Sequence, residues 1–117
     1  MKENIIRGKS LEFALRIVKL YQYLIDTKRE YVLSKQLLRS GTSIGALVRE
    51  SEHAESKADF IHKLSIALKE ANESDYWILL LYQSEYLTKS EYKSLFSDID
   101  EIIRLLVSII KTSKANK

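Results

Sequence analysis

The chain contains no cysteine, no proline and only three glycines in 117 residues. The missing cysteine removes disulfides, thiolate metal sites and cysteine nucleophiles together. The missing proline and scarce glycine leave few helix breakers, so long helices joined by short turns are expected. No run approaches the roughly 20 apolar residues of a membrane span. The opening stretch MKENIIRGKS lacks the apolar segment of a secretory signal. A soluble cytoplasmic protein with no membrane partner is therefore the expectation. Hydrophobic residues make up 45% and charged residues 30%, which excludes a disordered chain. The length suits one domain and leaves no room for a second core.

What is present is apolar repetition at helical spacing. Four helices are predicted, at about 10–27, 32–55, 57–84 and 89–112. Ser10 is the expected N-cap of the first, with the residues before it either extending that helix or fraying. Leu11, Ala14, Leu15, Val18 and Ile25 share one side of that helix, and Phe13, Ile17, Leu20 and Leu24 another, with Tyr21 between them. An amphipathic helix needs an apolar stripe of only about 100°. This one is apolar over more than half its circumference, so it is either deeply buried or serves two interfaces.

The second helix presents Leu33, Leu37, Gly41, Ile44 and Val48 as its inner face. Two interior glycines cost roughly 1 kcal/mol each relative to alanine. They make sense where another helix comes close, although a helix break at Gly41 also fits. Ser56 and Asp59 suit the N-terminus of the third helix, and Thr88 and Glu91 have capping-box spacing for the fourth. The third helix repeats Phe60, Leu64, Ala67, Ala71, Ser74, Ile78 and Tyr82 inward. Its small residues match those of the second helix, as close packing requires. Tyr92, Leu95, Phe96, Ile99, Ile102, Ile103, Leu106 and Ile110 do the same for the fourth. The fold class is all-α, an antiparallel up-down-up-down four-helix bundle.

Candidate chemistry is thin. Glu50-x-x-His53, with Asp59-x-x-His62 across the 2–3 hinge, has the spacing of di-iron bundle ligands. On the wheel Glu50 and His53 point away from the inner face, and the first and fourth helices bring no partner glutamates inward. No metal and no cofactor are expected. Glu70, Glu73 and Asp75 read as a solvated or inter-subunit face, and Ser40, Thr42 and Ser43 have no adjacent base. No catalytic residue is assigned.

Net charge is +3, mildly basic. Residues 1–30 carry seven basic and four acidic groups, and residues 88–117 carry six and four. An up-down bundle puts the start of the first helix, the 2–3 hinge and the end of the fourth at one pole. Lys2, Arg7, Lys9, Arg49, Lys57, Lys63, Lys111 and Lys114 are the candidate nucleic-acid contacts there, with His53, His62 and Lys117 nearby. Glu3, Glu50, Glu52, Glu55 and Asp59 dilute the patch. A solvated helix end accounts for the same pattern. Read functionally, the pole is a phosphate-contacting surface without base specificity. The outward apolar residues are the stronger signal. Ile66, Trp77 and Leu80 on the back of the third helix, with Phe13, Ile17 and Leu24 on the first, are assigned to a homo-oligomer interface.

The block LSKQLLRSGTSIGALVRESEHAESKADFIHKLSIALKEANESDYW, with FALRIVKLYQYL ahead of it, resembles the family of four-helix proteins encoded in intervening sequences of 23S ribosomal RNA genes. That family is related to the accessory variability protein of diversity-generating retroelements. The resemblance implies a ring-like homopentamer of antiparallel bundles. It also implies a poorly defined function; the retroelement relative is thought to bind nucleic acid and a reverse transcriptase through a basic surface, which makes RNA or DNA and a protein the candidate partners. Ser40, Ser43, Ile44, Glu50, Ser56, Phe60, Ala67 and Glu70 match the family pattern. Leu47 departs from it where relatives usually have Asn, as does Ser51 where close relatives usually have Ala. No catalytic set comes with the resemblance. The leading expectation is a non-enzymatic homo-oligomer that binds RNA or DNA or acts as an adaptor. The second is a protein–protein scaffold that touches no nucleic acid, and the third a metal-dependent bundle enzyme.

Overall fold

The computed structural model describes residues 1–116. Among them the regular structure is helical throughout: α1 (Lys2–Asp26), α2 (Leu33–Ser51), α3 (Lys57–Gln83) and α4 (Lys89–Ala115). The molecule measures 49 × 22 × 19 Å. Each helix lies against its neighbour in the chain, and α4 closes back on α1 across the loosest seam.

The helix starts show how local chemistry sets the boundaries. Ser56 accepts a hydrogen bond at Oγ from the Asp59 N–H at 3.0 Å. The Asp59 carboxylate reaches past it to the Glu55 N–H at 3.2 Å. Thr88 and Glu91 form the full reciprocal box, at 3.1 and 2.8 Å. Such caps satisfy backbone donors that have no partner inside the helix.

Two boundaries differ from expectation. The first helix begins at Lys2, not Ser10. Ser10 is buried, and its hydroxyl donates to the Arg7 carbonyl at 3.2 Å, a mid-helix bond. It is small because α2 passes close by: a Cβ on Gly45 would stand 3.4 Å from the Ser10 carbonyl oxygen. α2 ends at Ser51 rather than Glu55, unwinding through Glu52, His53 and Ala54, whose N–H groups bond back three residues. Gly41 does not break the helix. A Cβ there would lie 3.1 Å from Ile17 Cγ1, so the bare backbone is what lets α1 and α2 meet.

The core runs the length of the molecule and draws on every helix. Phe13, Ile17 and Leu24 of α1, Leu37 and Ile44 of α2, Leu64 and Ile78 of α3, and Ile99 and Leu106 of α4 are among its fully buried members. Phe96, expected inside, is instead exposed and tilts against the ring of Tyr92.

The small residues between α2 and α3 carry a polar link. Ser40 and Ser74, both fully buried, bond hydroxyl to hydroxyl at 2.8 Å, and the Ser74 hydroxyl donates to the Glu70 carbonyl at 2.9 Å. A buried hydroxyl left without a partner is costly, whereas losing both partners together can be nearly neutral. Ser74→Ala is therefore expected to cost about 1–2 kcal/mol, and adding Ser40→Ala to recover part of it. Urea denaturation of the two single variants and the double variant checks this; strict additivity would refute the coupling.

Candidate functional site

Side-chain contacts join the start of α1 both to the hinge between α2 and α3 and to the later part of α4. Arg7 pairs with Glu52 at 3.4 Å, tying α1 to the hinge. Lys2 donates from Nζ to Ser108 Oγ. Met1, Lys2 and Glu3 share a surface cavity with Ile109, Thr112, Ser113 and Asn116. The structure thus gathers Lys2, Arg7, Arg49, Lys57, Lys63, Lys111 and Lys114 toward one pole; Lys9 stands further down the α1–α4 seam, opposite Glu101 midway along α4, and Lys117 lies outside the described residues.

The cations there are not equivalent. Arg7, Lys9 and Lys63 are matched by carboxylates: Glu52 at 3.4 Å, Glu101 at 3.3 Å and Glu50 at 3.2 Å. Arg49, Lys57, Lys111 and Lys114 are exposed and, among the described residues, have no carboxylate partner. Lys111 and Lys114 rim an apolar groove formed by Leu68, Val107 and Ile110. Exposed pairs hold little energy, so a phosphate can compete for the matched cations, but the unmatched ones contact it without first breaking a bond.

The two Glu/Asp-x-x-His motifs do not form a ligand set. His53 lies beyond the end of α2, so it no longer shares a helical face with Glu50, whose carboxylate is engaged by Lys63. Both His53 and His62 are exposed. Among the described residues no three His, Cys, Asp or Glu side chains gather closely enough to hold a metal ion.

Between α1 and α4 lies a crevice of about 190 Å³, walled by Lys9, Glu12, Arg16, Asp98 and Glu101 and floored by Phe13 and Ile102. Two ion pairs cross the same seam, Lys9–Glu101 and Arg16–Asp98 at 2.7 Å. On the other side of the molecule Arg39 grips Glu70 (3.1 Å) and Glu73, and the Trp77 indole donates to the same Glu73 carboxylate at 3.2 Å. The Arg39 bond, helped by Trp77, outweighs desolvation and holds Glu73 below the ordinary carboxylate range. Asp75, facing α4, is pushed up by burial and then by Asp100. The acids expected to form a solvated face are thus partly tied into helix–helix contacts.

The family model described as 23S rRNA-intervening sequence protein matches residues 2–108. The chain belongs to that family. A crystal structure of a protein of unknown function from the S23 ribosomal protein family of Bacteroides thetaiotaomicron superposes with a TM-score of 0.94 at 59% identity. The alignment covers 95% of this chain and 99% of that one. A search of curated proteins gives no match.

In this intervening-sequence protein the expected oligomer interface needs correction. Phe13, Ile17 and Leu24 are 2%, 1% and 0% exposed within the single chain, so they are core residues and unavailable to a neighbour. The other apolar side of α1 faces out, with Leu11, Val18 and above all Leu15, 57% exposed. On α3, Ile66, Trp77 and Leu80 are half-buried, and Trp77 packs against the core. Tyr76, which meets Trp77 edge-on, and Leu79 stand further out.

One residue that sequence patterning misses is Glu30. It lies in the turn after α1 yet is buried. Its carboxylate accepts from the N–H groups of Val32 (3.0 Å), Leu33 (3.0 Å) and Ser34 (2.6 Å), and its carbonyl accepts from the Ser34 hydroxyl at 2.7 Å. Burial raises its pKa, but the bonds to Ser34, Leu33 and Val32 together prevail and the net shift is downward. Arg29, just before it, takes a left-handed backbone at φ 57°. The turn is therefore a fixed structure.

No helix of the described residues is long and apolar enough to cross a membrane.

Proposed function

We propose that this chain is the subunit of a cytoplasmic, non-enzymatic homo-oligomer, an antiparallel up-down-up-down bundle assembled as a ring-shaped pentamer, that binds RNA or DNA without base specificity. The observation that carries the binding reading is the set of unmatched cations, Arg49, Lys57, Lys111 and Lys114, on one end of the molecule. The family name, which ties its members to 23S rRNA genes, agrees with an RNA ligand. Cross-helix contacts support opposed neighbours: Ser40 meets Ser74 while Glu50, further along α2, meets Lys63, earlier in α3. The outward side chains of Leu11, Leu15 and Val18 support an assembly, because a neighbour removes them from water. A ring repeats each weak basic patch once per subunit, which raises the local potential and the avidity.

Binding of labelled duplex RNA is expected to weaken steeply as salt rises, with a log–log slope that falls by roughly 0.9 for each phosphate contact removed. Lys57→Gln, Lys111→Gln and Lys114→Gln together should flatten that slope. Absence of duplex binding at low salt, or an unchanged slope, defeats the binding reading. Leu15→Glu should dissociate the assembly without unfolding the subunit, as read by light scattering and circular dichroism; a monomeric wild type defeats the oligomer reading.

The same apolar side chains favour a second reading, a scaffold that docks a protein and no nucleic acid. It predicts a protein partner that stays bound after nuclease treatment.

A further inference from the structure

The opposite end of the molecule has a different character. The contacts Lys9–Glu101 and Arg16–Asp98 run along the α1–α4 seam and place the end of α1 beside the start of α4. The turns at 27–32 and 84–88 therefore share a pole that lies at the far end of the 49 Å long axis from the hinge. Six of the seven tyrosines belong to this pole; Tyr76 alone does not. Tyr82 and Tyr92 stack on each other with centroids 4.4 Å apart and close the end of the core. Tyr23 and Tyr31 do not do this: they are 40% and 56% exposed.

Around them stand exposed Lys28, Arg29, Lys89 and Lys93, none with a carboxylate partner among the described residues. Asp26 and Glu85 are the exposed acids of the same turns. Of the other two carboxylates nearby, Glu30 is buried and turned to the start of α2, while Glu91 is exposed with its carboxylate bonded to the Thr88 N–H. Glu30 also fixes the segment between two outward residues. Its carboxylate points into the protein, so Arg29 and Tyr31 on either side are held at the surface by a turn that is already ordered.

Exposed aromatic rings set among cations are what a single strand needs, because unpaired bases offer π-faces and its phosphates offer charge. A duplex hides those faces. We infer that the turn pole is a second nucleic-acid site, specific for single strands, in which Tyr31 and Tyr23 stack on bases and Arg29, Lys28, Lys89 and Lys93 contact phosphates. It extends the nucleic-acid reading above but uses none of the hinge cations, so the two sites fail or stand separately. The chemistry is shared by RNA and DNA, and oligo-U and oligo-dT distinguish the two sources.

The test measures fluorescence anisotropy of labelled oligo-U, oligo-dT and a duplex of equal length against the full chain. Tyr31→Ala and Tyr23→Ala should each lower single-strand affinity about tenfold, within the range of one base–aromatic stack. Duplex affinity should not move. Tyr31→Phe keeps the ring and should bind as wild type. Arg29→Gln should reduce the single-strand salt slope by about 0.7. Thermal melting confirms that each exposed-site variant is folded. Single-strand affinity unchanged by both tyrosine variants, or lost only on neutralising Lys57, Lys111 and Lys114, overturns the second site and leaves the hinge reading intact. Duplex binding that is absent while single-strand binding depends on Tyr31 overturns the hinge reading and leaves this one.

Discussion

Phe13→Ala lowers the free energy of unfolding by about 4 kcal/mol, a typical cost for deleting a buried ring that its surroundings cannot replace. Phe13 is 2% exposed, and its ring also lies close to where a Gly41 Cβ would stand. The wall opposite is α2 backbone, which cannot move inward to fill the space without dragging the helix. Against the 5–15 kcal/mol of a typical domain, that is a large fraction. The midpoint of thermal unfolding should drop by roughly 15 °C for a chain of this size. Leu15→Ala, two residues on and 57% exposed, should change the intrinsic stability of the subunit by no more than about 0.5 kcal/mol. The pair of variants decides which face of α1 is core. Chemical denaturation at a fixed protein concentration measures both; equal losses would mean that α1 is rotated from the orientation described.

Glu30→Ala is expected to cost about 2 kcal/mol, because it deprives three N–H groups at the start of α2 of a charged acceptor at once. The effect has a pH signature. Glu30 titrates lower in the folded protein than in the unfolded chain, so its contribution is fully present above the unfolded value near 4.5. It is lost as pH falls through the lower, folded value. Glu73 acts in the same direction, through Arg39. Asp75 acts oppositely: its pKa is raised, so protonating it on acidification adds stability. Glu30→Gln removes the Glu30 part alone. The wild-type and Glu30→Gln stability curves should therefore converge as the pH drops below 4.5; a constant offset down to the lowest pH would show that the carboxylate charge is not what holds the turn.

The helices were legible because nothing in the sequence interrupts them. The 3–4 spacing of Leu95, Ile99, Ile102 and Leu106 has one physical solution, and the Thr88 and Ser56 caps announce themselves in the residues that follow. α1 was harder. Both its faces are apolar, and a wheel cannot say which one α2 covers. That is decided by Gly41 and Gly45, whose bare backbones meet Ile17, Phe13 and Ser10. Ser10 looked like a cap because serine is small and polar, and it is inside a helix because it is small. Glu30 was invisible for another reason. Capping patterns look for a short polar side chain at the N-cap, and here that position is Val32 while the acceptor comes from two residues earlier. At the hinge, composition groups the cations but cannot tell Lys57, which has no carboxylate partner among the described residues, from Lys63, which Glu50 engages. Pairing depends on side-chain geometry across helices, and charge counts carry none of it.

The loose α1–α4 seam implies an expected order of assembly. The pairs α1–α2, α2–α3 and α3–α4 are each joined by a turn of a few residues, so each costs little entropy to close. Only α1 and α4 must find each other across most of the chain, and exposed ion pairs mark that meeting. A fold with mostly local partners reaches its native state fast. Its last joint to form is expected to be this seam, and the same joint is expected to open first, at Lys9–Glu101 and Arg16–Asp98, with α2 and α3 still clasped through Ser40 and Ser74; hydrogen exchange faster at the seam than at the α2–α3 contact checks it.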